Sequence, residues 1–342
     1  MTKNGLGASV GGLAQPKCFF AAYDDIREEV IILLEDFGER ALTAGDQISG
    51  GPAAGKPPSL EAFLPAFKAA GEFNGKFFNS TNVQWEGLAI NETFRSWDWP
   101  AVAAIMTPGF VLKWAEFQSG CKCMGIEISE NMMAFGEFFG PFQDEVIAAS
   151  DGIEIGGVCN VTVGHGDFRL ENIFFKEPGS DEVPVAFIDF QLIQRGLVTF
   201  DPMYFLMNSV PVDWRRENEL ACLNAFYDSL IATDKVDPAV YTWELYCVEL
   251  QVALCSCIYN PVYVGADAEK QAPGGVEEDA RKFELTKTLA SRFMVCIDDW
   301  GVSIDTLKAM KARADAKSSQ AEIAAEAVKL VPAKYLEGRT AA

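Results

Sequence analysis

The chain has 342 residues, 49% of them hydrophobic and 23% charged, which suffices for one large or two modest folded units around a real core. Forty-nine acidic against 28 basic side chains leave a formal charge of -21, so the general surface repels phosphate backbones and anionic headgroups. Nucleic acid and membrane are therefore not expected partners, and an anionic ligand needs divalent metal and a few local cations to reverse the field at its site.

The nine cysteines (18, 121, 123, 159, 222, 247, 255, 257 and 296) are odd in number and lie in apolar surroundings, which fits reduced buried thiols better than a disulfide framework. Cys121-Lys122-Cys123 and Cys255-Ser256-Cys257 leave one residue between cysteines, a spacing that does not suit structural zinc. The first thirty residues carry no targeting pattern and no apolar run nears the length of a membrane span, so the default expectation is a cytoplasmic protein.

In chain order, residues 1–16 are rich in glycine and small residues and read as a flexible leader. Cys18 to Asp24 and Glu29 to Asp36 are short apolar runs separated by charged turn residues, the pattern of a hairpin. A Gly/Pro loop over 50–58 follows, and Ser59 is placed to cap a helix with Leu60, Phe63, Leu64, Phe67, Ala70 and Phe73 on one face. Helical spacing returns between 99 and 150. Val158 to Val163 leads into a loop, Ile173-Phe174-Phe175 is strand-like, and Val183 to Ile188 is a second apolar run that ends at Asp189. Helix-like segments occupy 205–297, broken by a Gly/Pro loop at 261–276, and the Ala/Lys/Glu-rich tail from 305 reads as exposed helix. The units expected are a leader (1–16), a small strand segment (17–37), a helical body (38–304) and the tail (305–342).

The loop and the second apolar run carry the chemistry. Asp167 and Asn172 are five residues apart, and Asp189 ends the returning strand. If the strands pair, a base and two oxygen ligands for a hard cation converge on one cleft, the set that phosphoryl transfer requires. His165, the sole histidine, is assigned as a structural brace of that loop rather than as the base.

Val163 to Lys176 (VGHGDFRLENIFFK), Val185 to Gln191 (VAFIDFQ) and Phe200 to Leu206 (FDPMYFL) together resemble the catalytic segment of the aminoglycoside phosphotransferase and choline kinase-like superfamily, most closely its ecdysteroid-kinase-like and related branches. The resemblance implies an α+β, protein-kinase-like fold with a truncated N-terminal β lobe and a large, mainly helical C-terminal lobe. It also implies ATP and Mg2+ as cofactors, a small-molecule hydroxyl as substrate, Asp167 as catalytic base, Asn172 and Asp189 as metal ligands, and Asp201 as support for the catalytic loop. Val30 to Asp36 is similar to the family's hinge, where backbone groups of Leu34 and Glu35 meet the adenine edge. Ala44-Gly45-Asp46-Gln47 fits another family segment. Phe73-Asn74-Gly75 departs from the Leu-His-Ala often found there.

A complete kinase small lobe holds a glycine-rich hairpin, a strand lysine and a helix bearing its acidic partner ahead of the hinge. Gly5 to Gly12 resembles a phosphate loop only superficially, and sixteen residues between Lys17 and Leu34 are too few for the remaining elements. Truncation is the favoured reading because the acidic and metal-binding residues are intact. The alternatives are a cation supplied from another segment, or a degenerate kinase that acts as a ligand-binding or regulatory module. Trp214, Trp243, Tyr246 and Tyr259 with Asp213, Glu217, Glu244 and Glu249 read either as core and solvated faces or as the lining of a pocket for a cationic alcohol.

Overall fold

A short strand pair opens the described chain: β1 (Ser9–Val10) pairs with β2 (Leu13–Ala14), inside the stretch expected to be a leader. The computed structural model describes residues 9–10, 13–24, 26–27, 29–37, 42–52, 56–78, 99–140, 154–155, 158–159, 161–176, 185–306, 308–309 and 325–339. Most of the Gly5 to Gly12 tract lies outside them.

The expected hairpin forms from β3 (Cys18–Asp24) and β4 (Glu29–Leu34), antiparallel with an irregularity between Cys18 and Phe20. Its apolar side chains, Phe19, Phe20, Tyr23 and Val30 to Leu34 among them, stay 45 to 65% exposed on both faces. Among the described residues the hairpin adds little to the core. The chain then returns to the body at Phe37, which packs with Ala14, Phe174, Ala186 and Ile188.

β5 (Leu42–Ala44) leads through a turn to α1 (Leu60–Lys76). Ser59 accepts the Ala62 N–H as N-cap, and Phe63, Phe67, Ala70 and Phe73 are buried as the helical spacing predicts, with Leu60 and Leu64 at the margin of the same core. Each fully buried phenylalanine contributes about 1.5–3 kcal/mol of burial free energy. At Gly71 a Cβ would meet the Phe226 carbonyl oxygen at 2.3 Å, so glycine allows the closest approach of α1 to its neighbour.

Next come α2 (Trp99–Met124) and α3 (Glu130–Phe139), while residues 141–150 of the helical expectation for 99–150 lie outside the described residues. β6 (Glu154–Ile155) pairs with β7 (Val158–Cys159). β8 (Val161–Gly164), β9 (Ile173–Lys176), β10 (Val185–Phe187) and β11 (Gln194–Leu197) then form two small antiparallel sheets: β5-β9-β10 and β8-β11.

The rest of the described chain is helical: α4 (Phe200–Asn208), α5 (Val212–Ile231), α6 (Trp243–Ser256), α7 (Tyr259–Gly265), α8 (Ala268–Gln271), α9 (Ala280–Asp299) and α10 (Ala333–Leu336). The fold is thus mixed, with small strand elements and a large helical lobe. The loop expected at 261–276 is partly helix, because Pro261 sits in the first turn of α7, where its missing N–H costs nothing. Trp243–Gln271 is long and apolar, but 83% of its most apolar window is buried inside the protein, as in a core helix.

The exposed-tail expectation fails over 325–339. Tyr335 is fully buried, stacks on Trp300 at 3.6 Å, and its carbonyl accepts the Trp243 indole N–H at 2.9 Å. Its hydroxyl donates to Glu219, which also pairs with the buried Arg215 at 2.7 Å. Apolar and aromatic side chains at Ala327, Val331 and Tyr335, four residues apart, outweigh the charged composition around them. Residues 307 and 310–324 of the tail lie outside the described residues.

Candidate active site

Two strand pairs frame the loop. β8 enters it and β11 returns beside β8, with Gly164 opposite Gln194; β9 leaves it and pairs with β10, with Ile173 opposite Phe187. Val161, Val163, Ile173, Val185 and Phe187 are buried, which is why these short apolar runs pair as strands. Between them Gly166 adopts φ +81°, and a Cβ there would lie 1.9 Å from the Leu192 carbonyl oxygen, so only glycine fits the turn.

Asp201, at the start of α4, reaches under the loop. Its Oδ2 accepts the His165 backbone N–H at 2.7 Å and its Oδ1 the Gly166 N–H at 3.0 Å. Asn74, in the segment that departs from the family pattern, donates from Nδ2 to the Val163 carbonyl at 3.0 Å. Burial pushes the Asp201 carboxyl above the usual carboxylate range, against the opposing pull of His165 and the two backbone donors.

His165 spans the two strand pairs. Its Nε2 lies 2.9 Å from the Ile188 carbonyl oxygen and its Nδ1 accepts the Asp167 N–H at 3.3 Å, a pairing that places the proton on Nε2. Burial holds the imidazole below its ordinary value despite the acidic neighbours Asp201, Asp167 and Asp189.

Asp167 is 6% exposed, and its two oxygens have different partners. Oδ2 accepts from Arg169 Nε at 3.1 Å and from Asn172 Nδ2 at 2.9 Å; Oδ1 accepts from the Tyr204 hydroxyl at 3.2 Å. Burial opposes the Arg169 charge, but the ion pairs with Asp167 and Glu171 outweigh it and raise the guanidinium pKa further.

Asp189 follows the β10 strand. The neighbouring Ile188 N–H donates to the Asn172 carbonyl at 3.0 Å, which holds the two segments together. Among the described residues Asp189 is the one non-glycine residue with positive φ (62°, ψ 55°), and its side chain is exposed. A non-glycine residue in the left-handed region costs of order 1 kcal/mol or more, and such strain concentrates at functional sites.

The structure therefore brings His165, Asp167, Asn172 and Asp201 into one hydrogen-bonded cluster, with Asp189 beside it. Leu34 and Glu35 are elsewhere in the bonding pattern. Leu34 pairs with Cys18 in the hairpin, and the Glu35 N–H donates to the Lys17 carbonyl at 2.8 Å, so this N–H is already engaged. The Lys17 ammonium lies over the Phe19 ring, 5.3 Å from its centroid.

Sequence reasoning assigned no role to several residues that shape the site. Gln47, carried in by the pairing of β5 with β9, donates to Asn208 at 3.0 Å and accepts from Arg169 at 3.3 Å. Arg292 on α9 donates to the carbonyls of Gln47 and Asn208 at 2.7 and 2.8 Å and to that of Ile48 at 3.2 Å; burial brings its pKa down to about 10. Asn260 donates to the Tyr204 hydroxyl at 2.5 Å. Arg169 and Tyr204 lie within the quoted motifs, but their contacts with Asp167 were not read from them. Asn260 and Arg292 have no local signal. Trp243, Tyr246, Tyr259 and Glu249 are core residues, with Glu249 accepting the Tyr241 hydroxyl at 2.6 Å, so burial overturns the pocket reading for them.

The donor set suits a hard divalent cation. Asn172 has committed its Nδ2 to Asp167, which leaves Oδ1 as the atom it can offer a ligand, and Asp189 brings an exposed carboxylate one residue past the Ile188–Asn172 bond. Magnesium is held by one or two carboxylates with water and phosphate oxygens rather than by an all-protein cage.

Residues 156–236 match the ecdysteroid kinase-like family. No curated protein sequence matches the chain. Among solved structures, an ethanolamine kinase of Plasmodium vivax is similar at 11% identity and a TM-score of 0.41, over 86% of this chain and 70% of that one, a likeness too low to carry an argument. The family match covers the segment that holds Asp167, Asn172, Asp189 and Asp201, and it agrees with the resemblance read from the sequence there.

Proposed function

We propose that the chain is an ATP- and magnesium-dependent phosphotransferase that moves the γ-phosphoryl group to a hydroxyl of a small molecule. The observation that carries this reading is the convergence of the buried Asp167–Asn172 pair with Asp189, held at a strained left-handed backbone position on the adjoining strand end. In this reading Asp167 receives the proton of the attacking hydroxyl, and Asn172 Oδ1 and the Asp189 carboxylate hold the metal. The bound ion would supply charge neutralisation at the transferring phosphoryl group. His165 and Asp201 keep the loop in register: the imidazole ties the Asp167 N–H to the Ile188 carbonyl, and the carboxylate holds the N–H groups of His165 and Gly166.

A second reading, a ligand-binding module without turnover, draws on the position of Lys17 over Phe19 and on the exposed hairpin. Calorimetry tests the first reading. ATP with magnesium should give a binding heat that is lost on chelation and in Asp189→Ala; no heat, or heat indifferent to the metal, contradicts the metal assignment. Turnover separates the two readings.

A further inference from the structure

Asp167 is the proposed base, yet a carboxylate has two oxygens, and the structure treats them differently. Oδ2 receives two donors, Arg169 Nε and Asn172 Nδ2, and its lone pairs are filled. Oδ1 receives one, the Tyr204 hydroxyl. A phenol has one proton to give and can accept as well. Asn260 Nδ2, at the start of α7, donates to the Tyr204 oxygen at 2.5 Å, so the single phenolic proton is left for Asp167. Tyr204 is 7% exposed and stacks on Phe200 with ring centroids 5.5 Å apart, which fixes where the hydroxyl points. Burial and the facing Asp167 carboxylate both raise the phenol pKa, so the hydroxyl keeps its proton throughout the neutral range.

We infer that the Asn260–Tyr204 relay is a positioning device for the base: it locks the Asp167 carboxylate so that the remaining lone pair of Oδ1 is the one that receives the substrate hydroxyl proton. Arg169 and Asn172 anchor one oxygen, and the relay aims the other. The inference rests on the phosphotransfer reading. Tyr204 and Asn260 are positioning residues, since each acts through Asp167. The direction of the relay matters as much as its presence, because a donor is needed on the far side of the phenol. Removing the relay frees the carboxylate to turn about its last torsion, and misplacement of a reacting group by about 1 Å costs on the order of a hundredfold in rate.

The test has a kinetic arm and an equilibrium arm. With ATP, magnesium and an accepted alcohol, Tyr204→Phe should lower kcat about 10- to 100-fold and leave KM for ATP within about threefold, a split that general loosening of the fold does not give. Asn260→Ala should fall in the same range. The double variant should be no worse than Tyr204→Phe alone, because both remove one chain of bonds. Asn260→Asp should be worse than Asn260→Ala, since a carboxylate there takes the phenolic proton and turns a lone pair towards Asp167. A kcat loss under about threefold for Tyr204→Phe, additive losses in the double variant, or Asn260→Asp as active as the parent overturns the inference.

The equilibrium arm needs no turnover. In urea unfolding, Tyr204→Phe should lower the midpoint clearly more in the parent chain than in an Asp167→Ala background, where only the Asn260 bond is left to lose; equal shifts in both overturn the bond. Should Asp167→Ala not fold, a crystal structure of Tyr204→Phe decides, with a rotated Asp167 carboxylate supporting the relay and an unmoved one overturning it. Failure of the parent chain to transfer phosphate defeats the phosphotransfer reading and, with it, the catalytic purpose of the relay. The urea cycle then still decides whether Tyr204 holds Asp167.

Discussion

Asp201→Ala removes the acceptor of two backbone N–H groups in one step. The His165 and Gly166 amides are bonded to opposite oxygens of a carboxylate that is 2% exposed, at 2.7 and 3.0 Å. An unsatisfied buried N–H costs about 1–3 kcal/mol, and bonds to a charged acceptor lie towards the upper end. Desolvation, which pushes this carboxyl's pKa up, offsets part of that gain, so the loss expected is about 3–5 kcal/mol rather than the upper sum. Asp201→Asn keeps the shape and one acceptor but turns an amide NH2 towards one of the two donors, and should cost about half as much. Urea unfolding reads both as a lower midpoint at unchanged slope. Hydrogen exchange localises the damage, with the His165 and Gly166 amides losing protection first. An Asp201→Ala loss below about 1 kcal/mol, or persistent protection of those two amides, refutes the account of how the loop is held.

Because His165 is the sole histidine, its NMR signals need no assignment by mutation. They should report the neutral Nε2–H tautomer and stay neutral as pH falls below the ordinary histidine value of about 6.5. The sign follows from proton uptake: below that pH the unfolded chain binds a proton that the folded imidazole refuses. The His165 contribution to stability is therefore complete above about pH 6.5 and is lost as pH drops. Titration at or above that value contradicts the brace geometry. Arg215→Leu should destabilise by about 3–5 kcal/mol in urea unfolding, because it takes the buried cation from Glu219 and leaves Asp299 with Arg216 alone. A loss within about 1 kcal/mol contradicts the view that this cluster ties α5, α9 and α10 together.

The loop residues were legible because the relevant information is local. His165, Asp167 and Asn172 fall within eight positions, the apolar runs on either side announce strands, and Asp189 ends one of them, so pairing of β9 with β10 alone brings Asp189 to the loop. The Ser59 cap and the Phe63, Phe67 and Phe73 stripe were legible for the same reason. What escaped depends on partners far along the chain. Arg292 meets the Gln47 carbonyl across 245 positions, and Asn260 meets Tyr204 across 56; neither is preceded by a pattern that marks it. Tyr335 was misjudged because charge around it dominated the composition, whereas its fate is set by the Trp300 ring and the Glu219 carboxylate. For Trp243 and Tyr246 the sequence left core and pocket lining both open, and burial decides for the core.

The central claim is that Asp167 serves a hydroxyl attacking ATP, and product formation tests it most directly. Purified chain, magnesium, ATP and a panel of small alcohols, followed by phosphorus NMR, should yield ADP and a new phosphomonoester, with Asp167→Asn lowering the rate by about a hundredfold or more. Phosphomonoester formation that Asp167→Asn leaves unchanged, or none from the parent chain with any alcohol, contradicts it.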